Sequence, residues 1–285
     1  MEVHRDIPAM RAACARLRAR GRLGLVATMG ALHEGHMALI AAARAGSDAV
    51  AATVFVNPAQ FGEAADLAAY PRTEARDLEM LEGAGVAAVF VPAPEVMYPS
   101  GGMETSVEVP GLSGILLGAA RPGHFRGVAT VVTKLLNVVQ PAATWFGEKD
   151  HQQLAVIRKM VRDLDVPVEV HGVPTVREPD GLAMSSRNVR LGPGDRAAAG
   201  VLHRALLAGR EALRMGAAPG EVEARLREVI AAEPRAALVS ADLRDAATLG
   251  PATVEPRAPW VMLVAARFGD VLLIDQMTAT PGAPE

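Results

Sequence analysis

The chain has 285 residues, half of them hydrophobic, and 29 basic against 32 acidic side chains give a formal charge of −3. At ~150 residues per domain that length predicts about two domains with a sizeable core. No run approaches the ~18 apolar residues that a membrane-spanning helix needs, and no net positive field exists to gather nucleic acid or an anionic membrane surface. The single cysteine, Cys14, excludes an internal disulfide, and the opening Met1-Glu2-Val3-His4-Arg5-Asp6 lacks the basic-then-apolar profile of a signal peptide, so the expected location is the cytoplasm.

Taken in chain order, Leu23–Val26 reads as a short buried strand, followed by a Thr-Met-Gly loop and a helix over Gly35–Arg44. Val50–Val56 is a second strand, ending at Asn57-Pro58, and one helix separates it from the first, as in a right-handed βαβ unit. A helix over Leu78–Glu82 stops at Gly83 and Gly85, and a third strand, Ala87–Val91, runs into Pro92-Ala93-Pro94. Apolar residues at helical spacing fill Val128–Val139, then come a strand end at Thr144–Gly147, a helix over His151–Asp163 and a strand over Val166–Val173.

This alternation predicts an α/β fold: a Rossmann-like, doubly wound parallel sheet over residues 1–175, with its ligand crevice beyond the carboxyl ends of the strands. After Val176 the pattern changes to helices near Pro193–Arg214 and Pro219–Ala232, a strand at Leu238–Leu243 and a hairpin over Trp260–Ile274. Residues 176–285 are therefore expected to form a smaller α+β domain acting as a lid. The tail Pro281–Glu285 reads as frayed.

Three strings carry chemistry. His33-Glu34-Gly35-His36 opens the first helix, so two imidazoles share one face at a helix N-terminus, where anions are favoured. A zincin wants its histidines four apart, so the metal reading fails, and an isolated pair of this kind would be an ordinary surface or capping pair. Phe146-Gly147-Glu148-Lys149-Asp150 leaves a strand at the crevice edge, and Lys149 is one of only three lysines beside 26 arginines. Met184-Ser185-Ser186-Arg187-Asn188 offers two hydroxyls and a guanidinium for phosphate oxygens. Gly192-Pro193-Gly194-Asp195-Arg196-Ala197 fits the dinucleotide fingerprint in form but follows no strand. The Gly-x-x-x-x-Gly-Lys-Ser/Thr phosphate cradle is absent from the sequence.

In this order the three strings resemble the nucleotidylyl-transfer superfamily. The match narrows with Thr28–His36, Phe55-Val56-Asn57-Pro58 with Gln60-Phe61, Tyr70-Pro71-Arg72, Gly123-His124-Phe125, Gly147–Asp150 with Gln152-Gln153, and Met184–Asn188. Together these resemble the pantoate-beta-alanine ligase family from about Leu25 to Leu191 and more loosely beyond. One departure is Ala27, where the family usually has proline, and Glu148 stands where a neutral residue is common.

The resemblance implies that pantoate and ATP form an acyl adenylate, which beta-alanine then captures to give pantothenate and AMP. It carries His36 and His33 over as catalytic, with Lys149. ATP contacts fall on Met29, Gly30, Ala31, Leu32, His33, Glu34, Gly35 and His36, on Gly147, Glu148, Lys149 and Asp150, on Val176 for the adenine, and on Met184, Ser185, Ser186 and Arg187. Gln60 is carried over as a ligand of pantoate and beta-alanine and Gln153 as a ligand of pantoate, with Met29 and Phe61 as apolar walls. Mg2+ is expected with ATP, its protein ligands left open. A homodimer is expected too, with the apolar strand Trp260–Ala266 as a candidate interface. Two alternatives stand beside this reading: another adenylyl or cytidylyl transferase of the same fold, and a nucleic-acid-binding module, against which the charge and the scarcity of aromatic residues argue.

Overall fold

The computed structural model describes residues 1–62, 64–99, 104–253 and 259–280. The frayed tail expected at 281–285 lies outside them. The chain divides into two units, Met1–Gly147 with Val156–Pro174, and Glu148–Ala155 with Thr175–Glu285.

The first unit is built on six parallel strands: β1 (Glu2–His4), β2 (Leu23–Thr28), β3 (Ala49–Val54), β4 (Ala88–Phe90), β5 (Ala143–Gly147) and β6 (Glu169–Val173). Their spatial order is β1-β4-β3-β2-β5-β6, and helices connect them, which is the doubly wound parallel sheet expected from the alternating pattern. β2 and β3 are near-continuous apolar runs because both faces are covered. Val26, Leu32, Ile40, Val50, Val89 and Trp145 pack into one core around them.

Three local differences from the sequence reading have physical causes. β2 runs on to Thr28, because Thr28 itself ties the strand end to β3, its carbonyl accepting from Phe55 N at 3.1 Å and its hydroxyl donating to the Thr53 carbonyl. β6 starts at Glu169 instead of Val166, with Pro167 lacking a donor for the ladder. The first elements were missed altogether: β1 is only three residues long, and the helix Ile7–Arg18 is set by Asp6, whose carboxylate accepts from Ala9 N at 2.8 Å, and by Pro8 in its first turn. Cys14 is buried on that helix as a free thiol, and burial pushes it up to about 11.

In the second unit, helices Val201–Arg214 and Pro219–Ala231 bury Leu202, Leu206 and Leu226 with Met262 and Phe268. The last two lie on an antiparallel sheet of β7 (Ala237–Asp245), β8 (Trp260–Phe268) and β9 (Val271–Ala279), in the order β7-β8-β9. The helix expected over Pro193–Arg214 is two, Pro193–Ala198 and Val201–Arg214. The strand offered as an interface, Trp260–Ala266, is not available as one. β8 is the middle strand, and Trp260, Met262, Val264 and Ala266 are spent inside this unit's own core. The segment Glu148–Ala155 groups with this unit, where His151 Nε2 lies 2.9 Å from the Ala246 carbonyl. No helix among the described residues is long and apolar enough to cross a membrane.

One close approach links fold to site. On the helix His124–Val139, a Cβ at Gly127 would sit 2.2 Å from the Ala59 carbonyl oxygen, in the turn that carries Gln60. Gly127→Ala is therefore expected to destabilise the protein by about 1–3 kcal/mol, the usual result of overpacking. Urea unfolding measures it, and an unchanged midpoint would show that the turn yields freely.

Candidate active site

From β2 the chain moves through β3 and β4 to one side of the sheet, then returns to place β5 on the other flank of β2 and β6 beyond it. The β2–β5 neighbourhood is thus the switch point, where open α/β sheets bind ligands beyond the strand ends. The chain leaving β2 at Thr28 carries Met29–His36, and the chain leaving β3 carries Asn57–Gln60.

After β2 the backbone turns left-handed at Gly30 (φ 78°) and Ala31 (φ 51°). Thr28 begins the turn, its hydroxyl donating to the Thr53 carbonyl at 2.6 Å and accepting from Gly30 N at 3.2 Å. The fully buried Asp77 carboxylate lies under it and accepts from Ala31 N at 2.9 Å and Leu32 N at 2.8 Å.

Beyond that turn His33 is the N-cap of the helix Glu34–Ala45, and the two histidines form a reciprocal cap. His33 Nδ1 accepts from Gly35 N at 3.2 Å, and His36 Nδ1 accepts from His33 N at 3.3 Å. An Nδ1 that accepts carries no hydrogen, so in the neutral rings the proton sits on Nε2. Both imidazoles, 4.1 Å apart between centroids, are thereby set as Nε2–H donors at a helix N-terminus. The histidine pair is both a helix cap and a pair of oriented donors.

Gln60 is oriented by a buried chain of hydrogen bonds. Tyr98 OH donates to Asn57 Oδ1 at 2.5 Å, and burial pushes that phenol up to about 12, so it stays a donor. Asn57 Nδ2 in turn donates to the Gly127 carbonyl at 3.2 Å and to Gln60 Oε1 at 3.1 Å. With its oxygen committed, Gln60 turns its amide N–H toward Met29, whose sulfur lies 2.9 Å from Nε2. His124 Nδ1 holds the Gln60 carbonyl at 2.8 Å. Phe61 packs edge-on against the buried Tyr70.

In the second unit Glu148–Asp150 form a helical turn directly after Gly147, with the Lys149 ammonium 3.7 Å from Asp150 Oδ1. Gln152 is buried and Gln153 half-buried on the next turn. Val176 and Met184 face each other across a tight hairpin, Met184 N donating to the Val176 carbonyl at 3.0 Å, beside the bridge Arg177–Ala183. Arg177 clamps that hairpin to β9. Its guanidinium meets the buried Asp275 at 2.6 and 3.0 Å and also reaches the Gly181 and Gln276 carbonyls. His203 lies against Gly181, and burial, with the charge of Arg177 adding to it, holds its imidazole below the ordinary histidine range. Ser185 Oγ accepts from Arg187 N at 3.2 Å and Ser186 is buried. Each unit thus gathers its own share of the expected site residues.

Sequence reading missed Asp77, Tyr98 and the pair Arg177–Asp275. Asp77 left a trace: it stands four residues before Leu81 on the buried face of the helix Glu74–Gly83, where a carboxylate is out of place.

Comparison with known proteins bears on the same residues. The family model described as pantoate-beta-alanine ligase matches residues 2–278. The chain belongs to the pantoate-beta-alanine ligase family. As a member it is an ATP-dependent ligase that condenses pantoate with beta-alanine. It is 54% identical to a pantothenate synthetase of Chloroflexus aggregans over 260 residues, 89% of this chain and 91% of the relative. Against the crystal structure of pantothenate synthetase from Thermus thermophilus the TM-score is 0.92 at 46% identity, with both chains fully covered. A Francisella tularensis pantoate-beta-alanine ligase, solved with beta-gamma ATP and beta-alanine, aligns at a TM-score of 0.82 and 30% identity over 98% of this chain and 97% of that one.

In this ligase the Arg177–Asp275 pair holds the hairpin of Val176. Arg177→Met strands the buried carboxylate, and a loss of about 3 kcal/mol in urea unfolding is expected, as for breaking a buried ion pair from one side. A loss below about 1 kcal/mol would show that Asp275 finds other donors.

Proposed function

We propose that the ligation runs through a pantoyl adenylate, with the oriented histidine pair as its phosphate-handling group. A free carboxylate is a poor acyl donor. When its oxygen attacks the α-phosphorus of ATP, the bond to the β-phosphate breaks and pyrophosphate leaves; the beta-alanine nitrogen then attacks the acyl carbon, and AMP leaves with the former carboxylate oxygen. Charge builds on phosphate oxygens in the first step and on AMP in the second, so preorganised donors are the useful catalysts.

The observation that carries this reading is the pair of Nδ1 acceptor bonds, which turns His33 and His36 into Nε2–H donors. In the proposal His36 donates to the reacting phosphate and His33 to its neighbours, while Met29–Leu32, Glu34 and Gly35 line the nucleotide. Gly147, Glu148, Lys149 and Asp150 serve the phosphates, with Lys149 as the mobile point charge. Val176 takes the adenine by its main chain, and Met184, Ser185, Ser186 and Arg187 supply hydroxyl and guanidinium donors. Gln60 offers its amide N–H to pantoate and beta-alanine, and Gln153 binds pantoate. Neutral amides suit a nucleophilic carboxylate because they orient it without quenching it in an ion pair.

Mg2+ fits this donor set as the companion of ATP. Asp150 offers one partly exposed carboxylate with the Lys149 ammonium beside it, so phosphate oxygens and waters would supply the other ligands. When bound, the ion neutralises phosphate charge. The proposed setting is cytoplasmic. The proposed assembly is a homodimer, resting on the family resemblance alone; a monomer mass by light scattering at micromolar concentration removes it.

The deciding experiment is exchange of labelled pyrophosphate into ATP. Exchange is expected to require pantoate, to proceed without beta-alanine, and to fall by at least ~100-fold in His36→Ala, as for loss of one preorganised donor. Exchange without pantoate, or only with CTP, overturns the adenylate reading; normal exchange in His36→Ala returns the residue to a helix cap.

A further inference from the structure

We propose that Asp77 is a positioning residue for adenylation, acting through the Gly30–Leu32 turn on His33 and His36. The inference rests on the functional reading above. Asp77 is fully buried, and its hydrogen-bond donors among the described residues are neutral: Ala31 N and Leu32 N from the loop, and Oγ1 of Thr73, the N-cap of its own helix, at 3.1 Å. Burying a carboxylate against neutral donors is expensive, and in the first turn of the helix, where Asp77 lies, the exposed Glu74 already supplies the negative charge that the helix dipole favours. What the carboxylate does hold is specific. Successive N–H groups in a left-handed turn converge into a concavity that binds anions, and here the anion is the protein's own side chain, 45 residues away in sequence.

Two consequences follow. The Ala31 and Leu32 amides point at Asp77, so phosphate must be met by the groups beyond the turn. The turn is also shaped before ATP arrives: Ala31 carries a Cβ at φ 51°, a conformation that L-residues avoid, and Asp77 holds it there. Leu32 directly precedes His33, whose own N–H is the donor to His36 Nδ1. A change in the Leu32 backbone therefore rotates the N-cap and both imidazoles together. Errors of ~1 Å in such placement cost on the order of 100-fold in rate.

Asp77→Asn tests this, because it keeps the shape of the side chain but replaces one acceptor oxygen with an NH2 that cannot accept from the turn. Pantoate-dependent pyrophosphate exchange is expected to fall at least ~10-fold, the loss falling on kcat more than on the KM for ATP. The same substitution made in an Ala31→Gly background is expected to lose several-fold less, because glycine adopts the left-handed turn without being held. A merely structural Asp77 gives equal losses in the two backgrounds, and that result, or normal exchange in Asp77→Asn, overturns the proposal. Should Asp77→Asn not fold, Thr73→Val, which strips the carboxylate of its hydroxyl donor, is carried through the same pair of backgrounds, with a smaller loss that again shrinks beside Ala31→Gly. If the parent protein shows no exchange, the adenylate reading fails by itself. The two backgrounds are then compared in the kcat of pantothenate formation, where equal losses overturn the clamp and coupled losses support it.

Discussion

Six parallel strands place all their carboxyl ends on one edge of the sheet, and the chain diverges at one point on that edge. β2 is that point, with β3 on one side and β5 on the other. Chain leaving β2 and β3 must turn over the sheet edge at once, and it brings the histidine loop and the Gln60 turn to the same rim. A continuous apolar strand cannot supply donors itself, so the polar chemistry of the first unit sits in the few residues after each strand end.

Those residues are held by buried polar groups that look expensive in isolation. Asp77 sits under one loop, and Asn57 with Tyr98 sits under the other. Each decides an orientation that covalent structure leaves open: Asp77 the hand of a turn, Asn57 with Tyr98 the face of an amide. Fully satisfied networks of this kind rigidify a site. A chain of net charge −3 has no general positive field, and the donors of its first unit are local and oriented.

Much of this was legible beforehand. Long segments with strong periodicity, such as the helix His151–Asp163, were read with their ends in place, because hydrophobic spacing reports burial directly. The three-residue strand β1 was not, since so short an edge strand has no period to detect. The apolar run Trp260–Ala266 misled for a related reason: hydrophobicity says that a strand is covered, but not by what, and its cover is the core of the same unit. His33, His36 and Gln60 stood out because their residue types and neighbours are unusual for plain structure, whereas Tyr98 and Asp275 sit in ordinary surroundings.

By itself, then, the sequence determined the alternation of strands and helices, the parallel sheet, the loops that carry chemistry and the family to which they belong, because these depend on local period and on strings of adjacent residues. Only the tertiary structure decided that Asp77 reaches Leu32, that Tyr98 orients Asn57, and that Arg177 closes on Asp275 from 98 residues away. Such contacts join residues far apart in the chain. A hydrogen bond is set by distance and direction in space, and no one-dimensional pattern encodes either until the sheet has brought the two partners together.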